Sequence, residues 1–358
     1  MDLTTVRKIL VIKLRYIGDV LLSTPVIANL RRHFPEAQII MVVNKGTDEV
    51  LRYNPHLNEV LPLDRSRIKG WGMGRVLDSL SLIKRIRRER FDLVVDLTDG
   101  DRGAIMGFLS GAPIRIGYNA EGRIRGRLYT TIVRPSQPRL HNVEYQLEAI
   151  RTLGLPVVTK RLDLRWGESE RRFAEEWLIE KGWAERSFAT VHPGARWWFK
   201  QWPLDRFATL AERLWEQHRL ETLFLGGEKE RGDLLEIRRH GRRPFHSAEG
   251  ITLLQLAALI EKSRLFIGND NGPMHIAAAV GTPAVALFGS SDPKIWGPWG
   301  EGHEILYMGV SCSPCAHIGC EMGELNCMRQ ISLSAIMSAV DRVLRKEGNA
   351  LQSPLAYL

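Results

Sequence analysis

Short apolar runs alternate with longer amphipathic stretches from the first residues onward. Residues 9–14 are almost wholly apolar, as a strand buried in a parallel sheet would be. A loop follows, then a helix through residues 27–30, a strand over 38–43, a helix around 48–53 and a short strand over 60–63. A long helical pattern from about residue 74 to residue 90 leads into another apolar run over 92–97. Strands separated by helical patterns imply a parallel sheet with helices on both faces. The pattern changes at 155–168. After a helix over 169–181, a second alternating set begins, with strands at Phe188–His192, 221–225, 265–267 and 283–288.

Two successive sets of similar size predict an α/β protein of two Rossmann-like domains. The first spans residues 1–160 and the second 161–358, with the final helix free to pack back on the first. Ligand crevices of open α/β sheets lie at the carboxyl ends of the strands. The expected site is therefore a cleft between two facing parallel sheets. The length of 358 residues agrees with two domains, and 44% hydrophobic with 25% charged residues suits a globular chain. The apolar run after Met1 reaches only from Ile9 to Ile12 before Lys13, too short for a signal-peptide core or a membrane span. The expected location is the cytoplasm.

A formal charge of +9 favours anionic partners. Basic residues gather at Arg65/Arg67/Lys69, along 84–90, and at Arg115/Arg123/Arg125/Arg127. The second group reads as a solvated helix face. The first and third lie in loop-like, glycine-containing sequence and suit an anionic ligand. No helix-turn-helix or RNA-binding signature accompanies them, so nucleic acid is not an expected partner.

Four strand-to-loop junctions carry candidate chemistry. After the first strand comes Arg15-Tyr16-Ile17-Gly18-Asp19, where Gly18 permits a tight turn and Asp19 offers a general base at the strand's carboxyl end. An aspartate favouring a helix N-terminus explains that segment equally well. After Phe188–His192, Gly194 and Ala195 let backbone approach a ligand, and Lys200 supplies a cation suited to a diphosphate. Trp197, Trp198 and Trp202 of the same loop fit packing as well as binding. Gly226-Gly227-Glu228 presents a carboxylate suited to ribose hydroxyls or to solvent. The richest junction runs from Gly268 to Gly281. Asp270 is placed to grip sugar hydroxyls, and backbone amides at Asn271 and Gly272 open a small-residue helix as an anion site. His275 lies in its first turn.

Together these segments resemble the ADP-heptose:lipopolysaccharide heptosyltransferases of glycosyltransferase family 9, over Lys8 to about Arg345. The opening Ile-Lys-Leu-Arg-Tyr-Ile-Gly-Asp-Val and the run Phe91 to Asp99 look like the heptosyltransferase III branch. The resemblance implies the GT-B fold and inverting transfer of heptose from ADP-heptose to the lipopolysaccharide inner core. It implies no catalytic metal or other cofactor. It assigns Asp19 as base, Lys200 to the donor diphosphate, Glu228 to the nucleoside, Asp270 to the donor sugar and Gly272 to His275 to the diphosphate turn. Asn271 stands where many relatives have Thr or Ser. A lipid-anchored acceptor also implies peripheral association with the cytoplasmic face of the inner membrane. The alternatives are a transferase or epimerase using a UDP- or GDP-sugar, and a catalytically silent sugar-binding module on the same scaffold.

Asp99-Gly100-Asp101 has the D-x-D form of metal-dependent transferases but lies outside the donor half, and reads as loop chemistry or an acceptor contact. Cys312, Cys315, Cys320 and Cys327 begin as C-x-x-C, the start of a structural metal site. Their later spacing is irregular, which favours reduced thiols or a partly formed disulfide with a role in shape.

Overall fold

The computed structural model describes residues 2–64, 73–315, 319–323 and 326–352. The Arg65/Arg67/Lys69 group lies outside the described residues. The chain divides into two compact units, Met1–Arg165 and Trp166–Leu358.

In the first unit β1 (Lys8–Lys13), β2 (Gln38–Asn44), β3 (Glu59–Leu63), β4 (Leu93–Asp96), β5 (Ile114–Tyr118) and β6 (Thr131–Val133) form one sheet. Its order is β3-β2-β1-β4-β5-β6 and every pairing is parallel. The connections carry α1 (Ile17–Leu21), α2 (Thr24–His33), α3 (Met73–Glu89) and α4 (Asp101–Leu109), and α5 (Asn142–Thr152) follows β6. Parallel strands need such crossovers, and helices on both faces leave β1 with no water contact: Ile9 to Ile12 are fully buried. The order steps outward from β1 to β3, then restarts beside β1 with β4. Loops leaving the carboxyl ends of β1 and β4 therefore diverge and open a crevice at that switch point.

The second unit repeats the plan. Its strands are β7 (Phe188–His192), β8 (Glu221–Gly226), β9 (His246–Glu249), β10 (Leu265–Asn269), β11 (Ala284–Phe288) and β12 (Glu304–Tyr307). They are parallel in the order β12-β11-β10-β7-β8-β9, which puts the switch point between β7 and β10. Its helices are α6 (Glu168–Lys181), α7 (Leu204–His218), α8 (Arg231–His240), α9 (Leu253–Lys262), α10 (Gly272–Val280), α11 (Pro293–Trp296) and α12 (Leu333–Gln352). Ile336, Ala339, Val340 and Val343 of α12 enter the core of this unit, against α7, β11 and β12. The apolar face of the final helix is thus engaged within its own unit.

Three features differ from the expected elements. Residues 48–53 make only a 3-10 turn, Glu49–Leu51. Asp48 turns its carboxylate to the Gly46 amide (2.7 Å), and Pro55 bars helical geometry at Asn54. Arg115, expected in a loop, lies in β5, its guanidinium donating to the carbonyls of Leu128 (2.9 Å) and Ala112. The first unit also runs past residue 160. The fully buried Asn29 amide accepts from Val158 N (2.6 Å) and donates to Thr159 O (2.7 Å), and Thr24 Oγ1 accepts from Asp163 N (3.0 Å). These bonds stitch the connecting segment to α2.

Gly103 in α4 lies so close to β4 that a Cβ there would sit 2.3 Å from Asp96 Oδ2. Gly103→Ala should lower stability by about 1–3 kcal/mol. An unchanged urea midpoint would refute this contact.

Candidate active site

At the first switch point the sequence turns from apolar strand to polar loop within one residue. Lys13, the last residue of β1, is 2% exposed and donates to Leu97 O (2.8 Å) at the end of β4. Burial lowers its ammonium to about 8, against the opposing pull of Asp19, Asp96 and Asp99. Asp96 is fully buried. It accepts from Tyr129 Oη (2.7 Å) and Thr98 N (2.8 Å), and burial pushes its carboxyl upward against these bonds. Thr98 Oγ1 in turn accepts from Leu14 N (3.0 Å), while Arg15 donates to Thr98 O (2.8 Å) and Asp99 O (3.0 Å). The two loops are thereby tied together. Asp19 stands half-buried in α1, accepting from Tyr16 N (3.3 Å), so part of its carboxylate is engaged as a helix cap.

Asp99 and Asp101 have a structural task. Arg125, whose side chain is 6% exposed, meets Asp99 (2.9 Å), Asp101 (3.1 Å) and Glu121 (3.3 Å). Asp99 adopts a left-handed backbone (φ +49°) and also accepts from Tyr145 Oη (3.2 Å). The D-x-D segment is a clamp on a buried arginine, and Arg125 is already paired rather than open to an external anion.

At the second switch point the side chains interlock more closely. Asn269, fully buried at the end of β10, accepts from Trp202 N (3.1 Å) and donates to Pro193 O (2.7 Å). Asp270 Oδ2 accepts from Lys200 Nζ (2.8 Å) and Ser291 Oγ (2.6 Å), and Lys200 also donates to Ser291 Oγ (2.5 Å). Lys200 and Asp270 remain 23% and 14% exposed, so the knot reaches solvent. Asn271 caps α10 by accepting from Met274 N (3.1 Å), while its amide donates to Gly194 O (2.8 Å). Asn271 thus both caps the helix and holds the 193–195 loop. Gly272 opens α10, and His275 is buried one turn from the cap.

Glu228 is exposed in a 3-10 turn, Glu228–Glu230. Glu230, unmarked in the sequence reading, faces inward: a Cβ on Gly194 would lie 2.6 Å from its Cγ and 2.8 Å from His192 Cε1. Gly194 is therefore needed for close approach, and Ala195 follows it half-buried. Burial lowers His192 below its ordinary range, with the Glu230 charge opposing. Sequence reasoning also missed Ser291 and Asn269 as organisers of the site. The polar pair Ser290-Ser291 directly after β11 was the available signal. Of the tryptophans, Trp202 is core, its Nε1 donating to Ile331 O (2.9 Å), and Trp198 is 58% exposed.

The cysteines are free thiols. All four line a cavity of about 80 Å³ beside Phe199 and Ser290, and burial raises the Cys327 thiol. Among the described residues no group of three or more His, Cys, Asp or Glu is arranged to hold a metal ion.

Two parallel-sheet Rossmann-like units of the same strand order, each with polar side chains gathered at its switch point, make up the GT-B fold, and the family match makes the chain a glycosyltransferase. The family follows from residues 79–326, which match glycosyltransferase family 9 (heptosyltransferase), and the chain belongs to it. It is 32% identical over 296 residues to lipopolysaccharide heptosyltransferase 3 of Escherichia coli K12, covering 80% of this chain and 84% of that one. The glycosyl transferase family 9 structure from Veillonella parvula superposes with a TM-score of 0.82 at 25% identity, over 97% of this chain and 99% of the other. Escherichia coli ADP-heptose lipopolysaccharide heptosyltransferase II gives 0.75 at 22% identity, over 95% and 99%.

Lys13 yields a signed pH prediction. In the fold it loses its proton near pH 8, whereas its ordinary value is 10.5. Between these values the unfolded chain holds more protons, so raising the pH through this window favours the fold. The stability of the wild type relative to Lys13→Met should therefore rise from pH 8 to pH 10, measured as urea midpoints. A flat or falling difference would show that Lys13 is not a destabilised buried cation.

Proposed function

We propose that this enzyme transfers heptose from ADP-heptose to the lipopolysaccharide inner core with inversion, using Asp19 as general base. The observation that carries the reading is the Lys200–Asp270–Ser291 knot beside the capped N-terminus of α10, in a chain of the heptosyltransferase family. Lysine, helix amides and an acidic sugar contact are the groups a diphosphate-linked sugar requires. ADP-heptose is the donor named for the Escherichia coli heptosyltransferase II.

On this reading the first unit, residues 1–160 with its tethered extension, takes the acceptor. The second, expected over 161–358 and beginning at Trp166, takes the donor. Asp19 removes the proton of an acceptor hydroxyl as that oxygen attacks the anomeric carbon. The bond to the ADP oxygen breaks on the opposite face, and the sugar is inverted. Lys200, oriented by Asp270 and Ser291, meets the negative charge growing on the departing diphosphate, together with amides at Asn271 and Gly272. Gly194 and Ala195 let the loop lie close to the donor, His275 supports the diphosphate turn, and Glu228 takes the ribose hydroxyls. Charge neutralisation by these groups asks for no catalytic metal. The lipid-anchored acceptor places the reaction at the cytoplasmic face of the inner membrane.

Asp19→Asn keeps the shape of the loop and removes the base. Turnover should fall by about 10²–10⁴-fold while stabilisation by the donor persists. A thermal-shift panel of ADP, UDP, GDP and their sugar conjugates should show selective stabilisation by ADP compounds, reduced in Lys200→Ala. Preference for UDP or GDP compounds would overturn the donor, and undiminished turnover in Asp19→Asn would overturn the base.

A further inference from the structure

The outer face of α4 has a composition that a helix on a solvated surface does not need. Its inner face carries Gly103, Ala104 and Gly107, which pack on β4 against Asp96 and Val94. Its outer face presents Ile105 (48% exposed) and Phe108 (50%). The 3-10 turn Ile124–Leu128 packs beside α4 and adds Ile124, the most exposed large apolar residue described, at 82%. Isolated exposed apolar residues are ordinary, but three on adjoining elements form a patch.

The charges around the patch are of one sign in effect. Residues 101–128 contain five arginines and two carboxylates. Both carboxylates, Asp101 and Glu121, are engaged by Arg125 and Arg123. Arg115 lies over the Phe108 ring at 5.7 Å, and Arg102 and Arg127 are exposed. Apolar tips ringed by arginines match the boundary between the acyl chains and anionic headgroups of a bilayer. No described helix is long and apolar enough to cross a membrane, so contact through this face would be by docking alone.

We infer that Ile105, Phe108 and Ile124, with Arg102, Arg115 and Arg127, form a docking surface for an anionic phospholipid bilayer. The role of the surface rests on the proposed transferase function. The loop that opens α4 is bonded at Thr98 O and Asp99 O to Arg15, four residues before Asp19. A bilayer held on this face thus docks an element tied directly to the loop that carries the proposed base. Docking confines the search for acceptor to the membrane surface.

The test is flotation of the full chain with vesicles of phosphatidylethanolamine and phosphatidylglycerol, against vesicles of phosphatidylcholine. The wild type should float with the anionic vesicles and be released by salt. Ile105→Ser/Phe108→Ser/Ile124→Ser should weaken partitioning by about tenfold or more, from the apolar area it removes. Arg102→Ser/Arg127→Ser, which leaves the apolar residues in place, should lose the preference for anionic lipid. Both variants should keep wild-type turnover on a deacylated, soluble acceptor and lose it selectively on acceptor embedded in vesicles. Equal flotation of wild type and both variants, or no flotation of the wild type, overturns the surface, as expected if a protein docks there instead. Absence of turnover on soluble acceptor by the wild type overturns the transferase function and leaves the vesicle result to stand alone.

Discussion

The second unit depends on one buried amide. Asn269 sits with no solvent contact at the end of β10, where a strand residue would ordinarily be apolar. Its donors hold the loop after β7 through Pro193 O, and its acceptor holds the amide of Trp202. An unpaired amide at that depth would cost about 1–3 kcal/mol, so the bonds are satisfied together or the strand end is lost. With Asn269 in place, Asp270 is turned outward beside Lys200, and Asn271 caps α10 while gripping Gly194. Three successive residues thus have three different tasks, and the first makes the other two possible.

The first unit uses charge where the second uses an amide. Lys13 and Asp96 are buried beneath the loop that carries Asp19, and Leu97 O, Tyr129 and Thr98 satisfy their polar atoms. Buried ions of this kind are poor sources of stability, because desolvation offsets attraction. Their consequence is geometric: β1 and β4 are locked end to end, and the loops after them cannot slide. Arg125 does the same for the next loop, drawing Asp99 and Asp101 inward, with Asp99 held in a left-handed backbone. A motif with the form of a metal-binding one, read from the sequence as loop chemistry or an acceptor contact, is here a means of fixing α4. The same fixation leaves Ile105 and Phe108 facing outward.

Much of this plan was legible in the chain itself. The long apolar runs of β1, β2, β7 and β11 announced parallel strands, because strands covered on both faces need no polar positions. The junction at Asp270 to Gly272 announced a helix N-terminus, and α10 begins at Gly272; Asp19 lies in α1 after β1, and Lys200 in the 3-10 turn Trp198–Lys200 after β7. The short strands β5, β6, β9 and β12 escaped notice, since they are only three to five residues long, β5 is broken by Arg115 and Gly117 and β9 is nearly all polar, and they are defined by their neighbours rather than by their own pattern. Glu230 escaped because Glu228, two residues earlier, has the same chemistry. Only the close approach of Gly194 distinguishes the inward carboxylate from the exposed one.

The sequence by itself determined the two alternating α/β sets, the polar residues at their strand ends and the family signature. Those follow from local periodicity and from residue types, which need no knowledge of neighbours. Only the tertiary structure decided which polar groups are partners. Arg125 reads as an anion site until three carboxylates are seen around it. Asn269 reads as a turn residue until its bonds to loops far away in sequence are traced. The reason is physical: the energy of a polar side chain depends on its burial and on the atoms opposite it, and a parallel sheet assembles both from segments distant in the chain.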